Sequence, residues 1–227
     1  MKFEHYYEEA GSGYPLILLH GNSESAEYFR HQIDYFSEEY RVIAVDTRGH
    51  GRSPRGDGPF SISRFADDLN DFMERHGIEK AHILGFSDGG NTALVFALRY
   101  PQRVNRLILN GANLYFSGMY AAVCLPILLR YVFWSLFKSV SAKAVKNAEM
   151  VGLMVHDPAL KPEDLREMKM KTLVIAGTRD MVKTSHTRLI FENIPDAQLK
   201  LIRGDHFIAY KKWKEFNDAV EEFLKQE

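Results

Sequence analysis

The chain has 227 residues, 45% of them hydrophobic and 26% charged, which is enough for one sizeable core and lies in the ordinary globular range. Its 29 basic and 30 acidic side chains leave a formal net charge of -1, so no single-sign field favours nucleic acid or another polyanion as partner. The single cysteine, Cys124, has no companion for an internal disulfide, and its neighbours Val123 and Leu125 point to a buried, inert thiol.

In chain order, residues 1–9 are polar and acidic, without the apolar stretch of a secretory signal, and a cytoplasmic location is the expectation. Strands are expected at residues 4–9, 15–20 and 41–46. A helical face then follows in Phe65, Leu69, Phe72 and Met73. Further strands are expected at 81–86 and 104–110, with a helix from Thr92 to Tyr100 between them that stops at Pro101. About 55 residues then separate Gly111 from the next strand, at 172–177, too many for an ordinary connection in a compact domain. That stretch carries a helical pattern over 121–151 and a helix start at Lys161-Pro162-Glu163-Asp164, and it reads as a small helical cap at 113–168. A last strand at 198–202 precedes a helix whose face holds Trp213, Phe216, Val220, Phe223 and Leu224. The core is then 1–112 with 169–227. Alternation of strand and helix, with near-continuous apolar central strands, predicts an α/β fold: a mostly parallel twisted sheet of about seven strands flanked by helices. The longest apolar stretch, 123–137, is interrupted by Pro126 and Arg130 and is shorter than the roughly 20 residues that span a bilayer, so no stable membrane insertion is expected.

The most informative pentapeptide is Gly85-Phe86-Ser87-Asp88-Gly89, because it closes an expected strand and opens an expected helix. This is the setting of a nucleophile elbow, where a strained turn exposes the serine hydroxyl and flanking glycines make room for it. A structural turn serine is the alternative. Serine is a poor nucleophile at neutral pH and needs a base and an orienting acid. His206 follows the last strand and Asp180 the one before it, and the chain order Ser87, Asp180, His206 suits residues gathered at strand ends. Asp157 and Asp205 compete for the acid role, the first from the cap and the second from beside His206.

These motifs resemble those of the α/β-hydrolase family over nearly the whole chain apart from the cap. His20-Gly21-Asn22 is similar to its oxyanion loop and Asp46-Thr47-Arg48-Gly49-His50-Gly51-Arg52-Ser53 to its glycine-rich turn. The resemblance implies an oxyanion hole made by the backbone amides of Asn22 and Asp88, and an N-terminus shortened by the family's first strand. The segment His20-Gly21-Asn22 is also similar to haloalkane dehalogenases, but their aspartate nucleophile is replaced here by Ser87. Ser87-Asp88-Gly89-Gly90 resembles small esterases, amino-acid ester hydrolases and carbon–carbon bond hydrolases, which leaves the substrate open.

Asp88 can attract a substrate ammonium, but an acid in a first helical turn is also simply stabilising. His20 reads as a loop-supporting residue, and His50, His82 and His186 as solvent or turn residues. No H-E-x-x-H or similar spacing is present, so neither a metal nor a cofactor is expected. Tyr115, Phe116 and Trp134 are candidates for lining an apolar pocket, or for gluing the cap to the body. Attachment of the cap to a membrane surface is disfavoured, because the segment lacks a clearly basic polar face. The sequence therefore points to a serine hydrolase acting on a small-molecule ester or related carbonyl. A carbon–carbon bond hydrolase or amidase with the same triad, and a non-catalytic ligand receptor, are the alternatives. Oligomeric state is not specified by these residues.

Overall fold

The computed structural model describes residues 3–226; Met1, Lys2 and Glu227, which end the two expected core ranges, lie outside them. Seven strands form one sheet: β1 (Tyr7–Ala10), β2 (Tyr14–Leu19), β3 (Tyr40–Val45), β4 (Ala81–Phe86), β5 (Val104–Asn110), β6 (Lys171–Gly177) and β7 (Ala197–Ile202). They lie in the order β1-β3-β2-β4-β5-β6-β7, and every pairing is parallel except that of β1 with β3. The mostly parallel sheet expected from the apolar strand runs is thus the observed one. Glu4 to Tyr6 lie before β1 rather than in it.

Because successive strand side chains point to opposite faces, the sheet divides its apolar residues between two cores. Ile17, Leu19, Ile43, Ile83, Leu107 and Leu109 face helices α2 (Ile62–Arg75), α3 (Asp88–Arg99) and α6 (Thr184–Asn193). Leu16, Leu18, Val42, Leu84 and Ile108 face α1 (Arg30–Phe36), the one-turn α7 (Ile208–Lys211) and α8 (Trp213–Lys225). The face expected for α2 is the buried one, and Ser61 starts that helix by accepting the Arg64 N–H at 3.1 Å. In α8, Phe216, Val220, Phe223 and Leu224 are buried as their spacing requires, while Trp213 stacks on His31.

Between β5 and β6 the expected single helical pattern is two helices, α4 (Ala121–Leu136) and α5 (Ala142–His156). The break falls at Ser141, whose hydroxyl accepts the Ala144 N–H at 3.3 Å and so starts a new helix. Apolar residues on both sides of it concealed the break in the periodicity. A six-residue 3-10 turn, Pro162–Glu167, follows where the sequence marks a start, with Asp164 accepting the Lys161 N–H at 2.8 Å.

Candidate active site

Ser87 stands between the last residue of β4 and the first of α3, with φ +54° and ψ -119°. Positive φ in a residue with a Cβ is costly and is concentrated at functional turns. The neighbouring glycines have a steric reason. A Cβ on Gly85 would run into the Gly89 carbonyl, and one on Gly89 into the carbonyl of Leu19 on the neighbouring strand. Asn110, at the end of β5, accepts the Ser87 N–H at 2.8 Å and ties the turn to the next strand.

His206 and Asp180 come together at the ends of β6 and β7. Asp180 Oδ1 lies 2.6 Å from His206 Nδ1 and also accepts the Val182 N–H at 2.9 Å. A carboxylate supplies only acceptors, so Nδ1 is the donor, and the Nε2 lone pair of a neutral imidazole is left free. Both side chains are buried. The imidazole packs on Phe86, the residue before Ser87, with ring centroids 4.8 Å apart. Gly111, the residue after Asn110, abuts it from β5: a Cβ there would lie 2.7 Å from His206 Cε1. The Ser87 turn and the His206–Asp180 pair therefore share one cluster of strand ends. Among the described residues, no hydrogen bond joins the Ser87 hydroxyl to the imidazole; such bonds often tighten only when substrate is present. The competing acids are elsewhere: Asp205 pairs with Lys211 at 2.5 Å, and Asp157 ends α5.

Asn22 ties the turn after Ser87 to α5. Its side-chain amide donates to Asp88 Oδ2 and to the Met150 carbonyl of α5, both at 2.8 Å. The N–H of Asp88 belongs to the first position of α3, where no intrahelical acceptor exists. Burial pushes the Asp88 carboxyl up to about 6, a rise opposed by the Asn22 hydrogen bond. His20 supports the same loop from below: Nε2 accepts the Thr47 N–H at 3.0 Å, so Nδ1 donates to the Gly21 carbonyl at 2.8 Å. Burial lowers its pKa to about 4, and the ring is neutral near pH 7. Asp46 joins this loop to the turn after β3 by accepting the Ala26 and Arg52 N–H groups, each at 2.7 Å.

The remaining assignments divide. His50, His82 and His186 are buried, not solvent-facing; His186 sits in α6 and accepts the Leu114 N–H at 3.0 Å. Tyr115 packs edge-on against His186, and Trp134 against Phe133 on α4, while the Phe116 carbonyl accepts from Cys124 Sγ. The sequence reading passed over Glu24. Its Oε2 accepts the Gly21 N–H at 3.1 Å, and burial raises its pKa to about 7 despite that bond and the nearby His206. In sequence, Asn22-Ser23-Glu24-Ser25 looks like a polar surface loop, and nothing local marks the glutamate as turned inward. A cavity of about 240 Å³ opens beside it, lined by Ser23, His50, Arg130, Lys146 and Met150 among others. Among the described residues, no group of three or more His, Cys, Asp or Glu side chains could hold a metal ion.

With this geometry in place, similarity to known proteins becomes informative. The family model for the alpha/beta hydrolase fold matches residues 14–123. The chain is 30% identical to "Putative carbamate hydrolase RutD" of Azorhizobium caulinodans, over 95% of this chain and 92% of that protein. It is 29% identical to the 2-hydroxy-6-oxononadienedioate/2-hydroxy-6-oxononatrienedioate hydrolase of Comamonas testosteroni, over 98% and 91%. Among solved structures, Est816, described as an N-acyl homoserine lactone degrading enzyme, superposes with a TM-score of 0.82 at 26% identity, covering 97% of each chain.

Proposed function

We propose that this chain, which belongs to the α/β-hydrolase fold family, is a serine hydrolase that cleaves a small ester or related carbonyl compound through an acyl-enzyme. The observation that carries this reading is a serine held at φ +54° on a strand-to-helix turn, beside strand ends that bear a histidine bonded to an aspartate at 2.6 Å. Ser87 Oγ attacks the carbonyl carbon while His206 Nε2 takes its proton. The imidazolium, stabilised by Asp180, gives that proton to the leaving group as the tetrahedral intermediate collapses. Water, deprotonated by the same imidazole, then releases the acid and restores the serine. The developing oxyanion is bound by the backbone N–H groups of Asn22 and Asp88, each contributing roughly 3 kcal/mol in sites of this kind. The positive end of α3 adds to that stabilisation.

Intact-protein mass after exposure to a small fluorophosphonate tests the reading without knowledge of the natural substrate. A single adduct on the wild type that is absent from folded Ser87→Ala is expected. A wild type that stays unlabelled while correctly folded would favour a ligand receptor instead. Cleavage of a carbon–carbon bond is the second reading, favoured by the similarity over nearly the full chain to the dienedioate hydrolase of C. testosteroni. A panel of aryl esters, lactones, anilides and vinylogous 1,5-diketones separates the two by which class turns over: the first and third release an absorbing leaving group, lactone opening releases a proton, and carbon–carbon cleavage bleaches the conjugated diketone.

A further inference from the structure

The outward face of α4 is apolar and uncovered. Of the eleven large hydrophobic side chains exposed among the described residues, nine lie between Tyr120 and Val140. Leu125, Leu129, Val132, Phe133 and Leu136 recur at the spacing of one helix face, with Leu129 62% and Leu136 72% exposed. No residue of α4 is buried. A helix that is hydrophobic all round normally sits inside a protein, and contiguous exposed apolar surface marks an interaction site.

Charge indicates what covers this face. Between residues 113 and 148 the sequence has four cations, Arg130, Lys138, Lys143 and Lys146, and no aspartate or glutamate, although the chain as a whole carries -1. All four are exposed. Arg130 and Lys146 line the cavity beside Glu24, whereas Lys138 and Lys143 bracket the turn into α5 at the end of the apolar face. The basic component that α4 lacks is therefore supplied by the adjoining turn and the start of α5. Phe133 and Phe137 extend the exposed apolar surface, and Trp134, packed edge-on against Phe133, adds a ring of the kind that settles at the headgroup level of a bilayer. A second copy docked face to face would bring these cations together with no carboxylate from the same segment to offset them.

We infer that α4 and the α4–α5 turn form a docking surface for an anionic lipid bilayer, with α4 lying in the plane of the interface. The helix does not cross it: no helix among the described residues is long and apolar enough to do so. Apolar burial and attraction to acidic headgroups act together in such attachment. The inference is independent of the hydrolytic reading, because it concerns a face that holds none of Ser87, Asp180 or His206.

Flotation of the full chain with vesicles of phosphatidylcholine containing 30% phosphatidylserine tests it, with pure phosphatidylcholine vesicles and 0.5 M NaCl as comparisons. The wild type should float with the acidic vesicles, and less in salt, since added salt shortens the reach of surface charge. Lys138→Gln and Lys143→Gln should each weaken binding about fivefold, as expected for one cation near an acidic surface. Leu129→Glu with Leu136→Glu should abolish it while leaving the circular dichroism melt unchanged, because both side chains already face solvent. Absence of flotation with acidic vesicles, or equal flotation with neutral ones, would overturn the inference. So would a dimer in sedimentation that the same leucine substitutions dissociate, since the face would then belong to a second copy.

Discussion

Ser87 at positive φ and Asp180 with His206 are side chains whose neighbours leave little freedom, and two substitutions expose this. Gly111 has φ +62°, and a Cβ there would lie 2.7 Å from His206 Cε1 and 2.9 Å from Nδ1. Gly111→Ala should push the imidazole off the Asp180 bond, lowering kcat/KM for any ester found to be a substrate by more than about tenfold, because small misplacements of a reacting group are expensive. The cost in stability should be only about 1–2 kcal/mol. Retained kcat/KM in the folded variant would show that the imidazole position does not limit turnover. Asp88 presents the reverse case, a group that weakens the native state. Its pKa rises on folding from 3.8 to about 6, mainly through burial, so the folded chain holds the proton more tightly than the unfolded chain does. Stability therefore falls as pH increases from about 4 to about 6 and stays reduced above that window. Asp88→Asn removes the charge and keeps an acceptor for Asn22. It should raise unfolding free energy at pH 8 by up to roughly 3 kcal/mol, with the gain disappearing below pH 4. Urea titrations at the two pH values measure this, and a gain that is equal at both would assign the effect to something other than ionisation.

The elements that position these residues were largely legible because their causes are local. Parallel strands covered on both faces read as apolar runs, and Ala81–Phe86 and Val104–Asn110 occur at the expected bounds. The placing of Ser87, Asp180 and His206 at strand ends was legible for the same reason, since each follows a recognisable strand. Glu24 and the buried His50 and His186 were not, because their burial is decided by chain segments remote in sequence. The loop after β3 shows how such remote contacts operate. Arg48, fully buried, grips Asp68 of α2 through two hydrogen bonds of 2.6 Å, from Nε and Nη2, and also donates to the Arg55 carbonyl at 3.2 Å. The pair pins the glycine-rich turn to α2, and truncating one partner leaves the other charge buried alone. Asp68→Ala should cost about 3–5 kcal/mol in urea denaturation, whereas truncating Glu9, paired with the half-exposed Arg41, should cost under about 1 kcal/mol. Equal effects would mean that water reaches the Arg48 guanidinium.

For the whole molecule, the unequal distribution of buried side chains sets which parts open first. The sheet is sandwiched between two cores, and α8 contributes Phe216, Val220 and Phe223, each 1% exposed or less, to one of them. Gln32 and Asn217 strengthen that layer with a buried 2.8 Å hydrogen bond from α1 to α8, while Gln32 also donates to the Ala209 carbonyl at 2.9 Å. Helix α4 is the contrary case, since none of its residues is buried. Helices with few buried apolar contacts open at a small fraction of the global free energy, and those built into the core open only with the whole. Hydrogen exchange followed by mass spectrometry should therefore find α4 amides exchanging at least about a hundredfold faster than those of α3 and α8. Phe216→Ala tests the same hierarchy through stability. Emptying a buried phenylalanine site costs about 3–5 kcal/mol, which should lower Tm by roughly 10 °C in a chain of this length and speed exchange wherever global unfolding is limiting. The α4 amides should be indifferent to it, because their opening does not require the sheet to unfold. If α4 instead slowed to the rate of α8, its exposed face would have to be covered in solution, and the slowing should then track protein concentration.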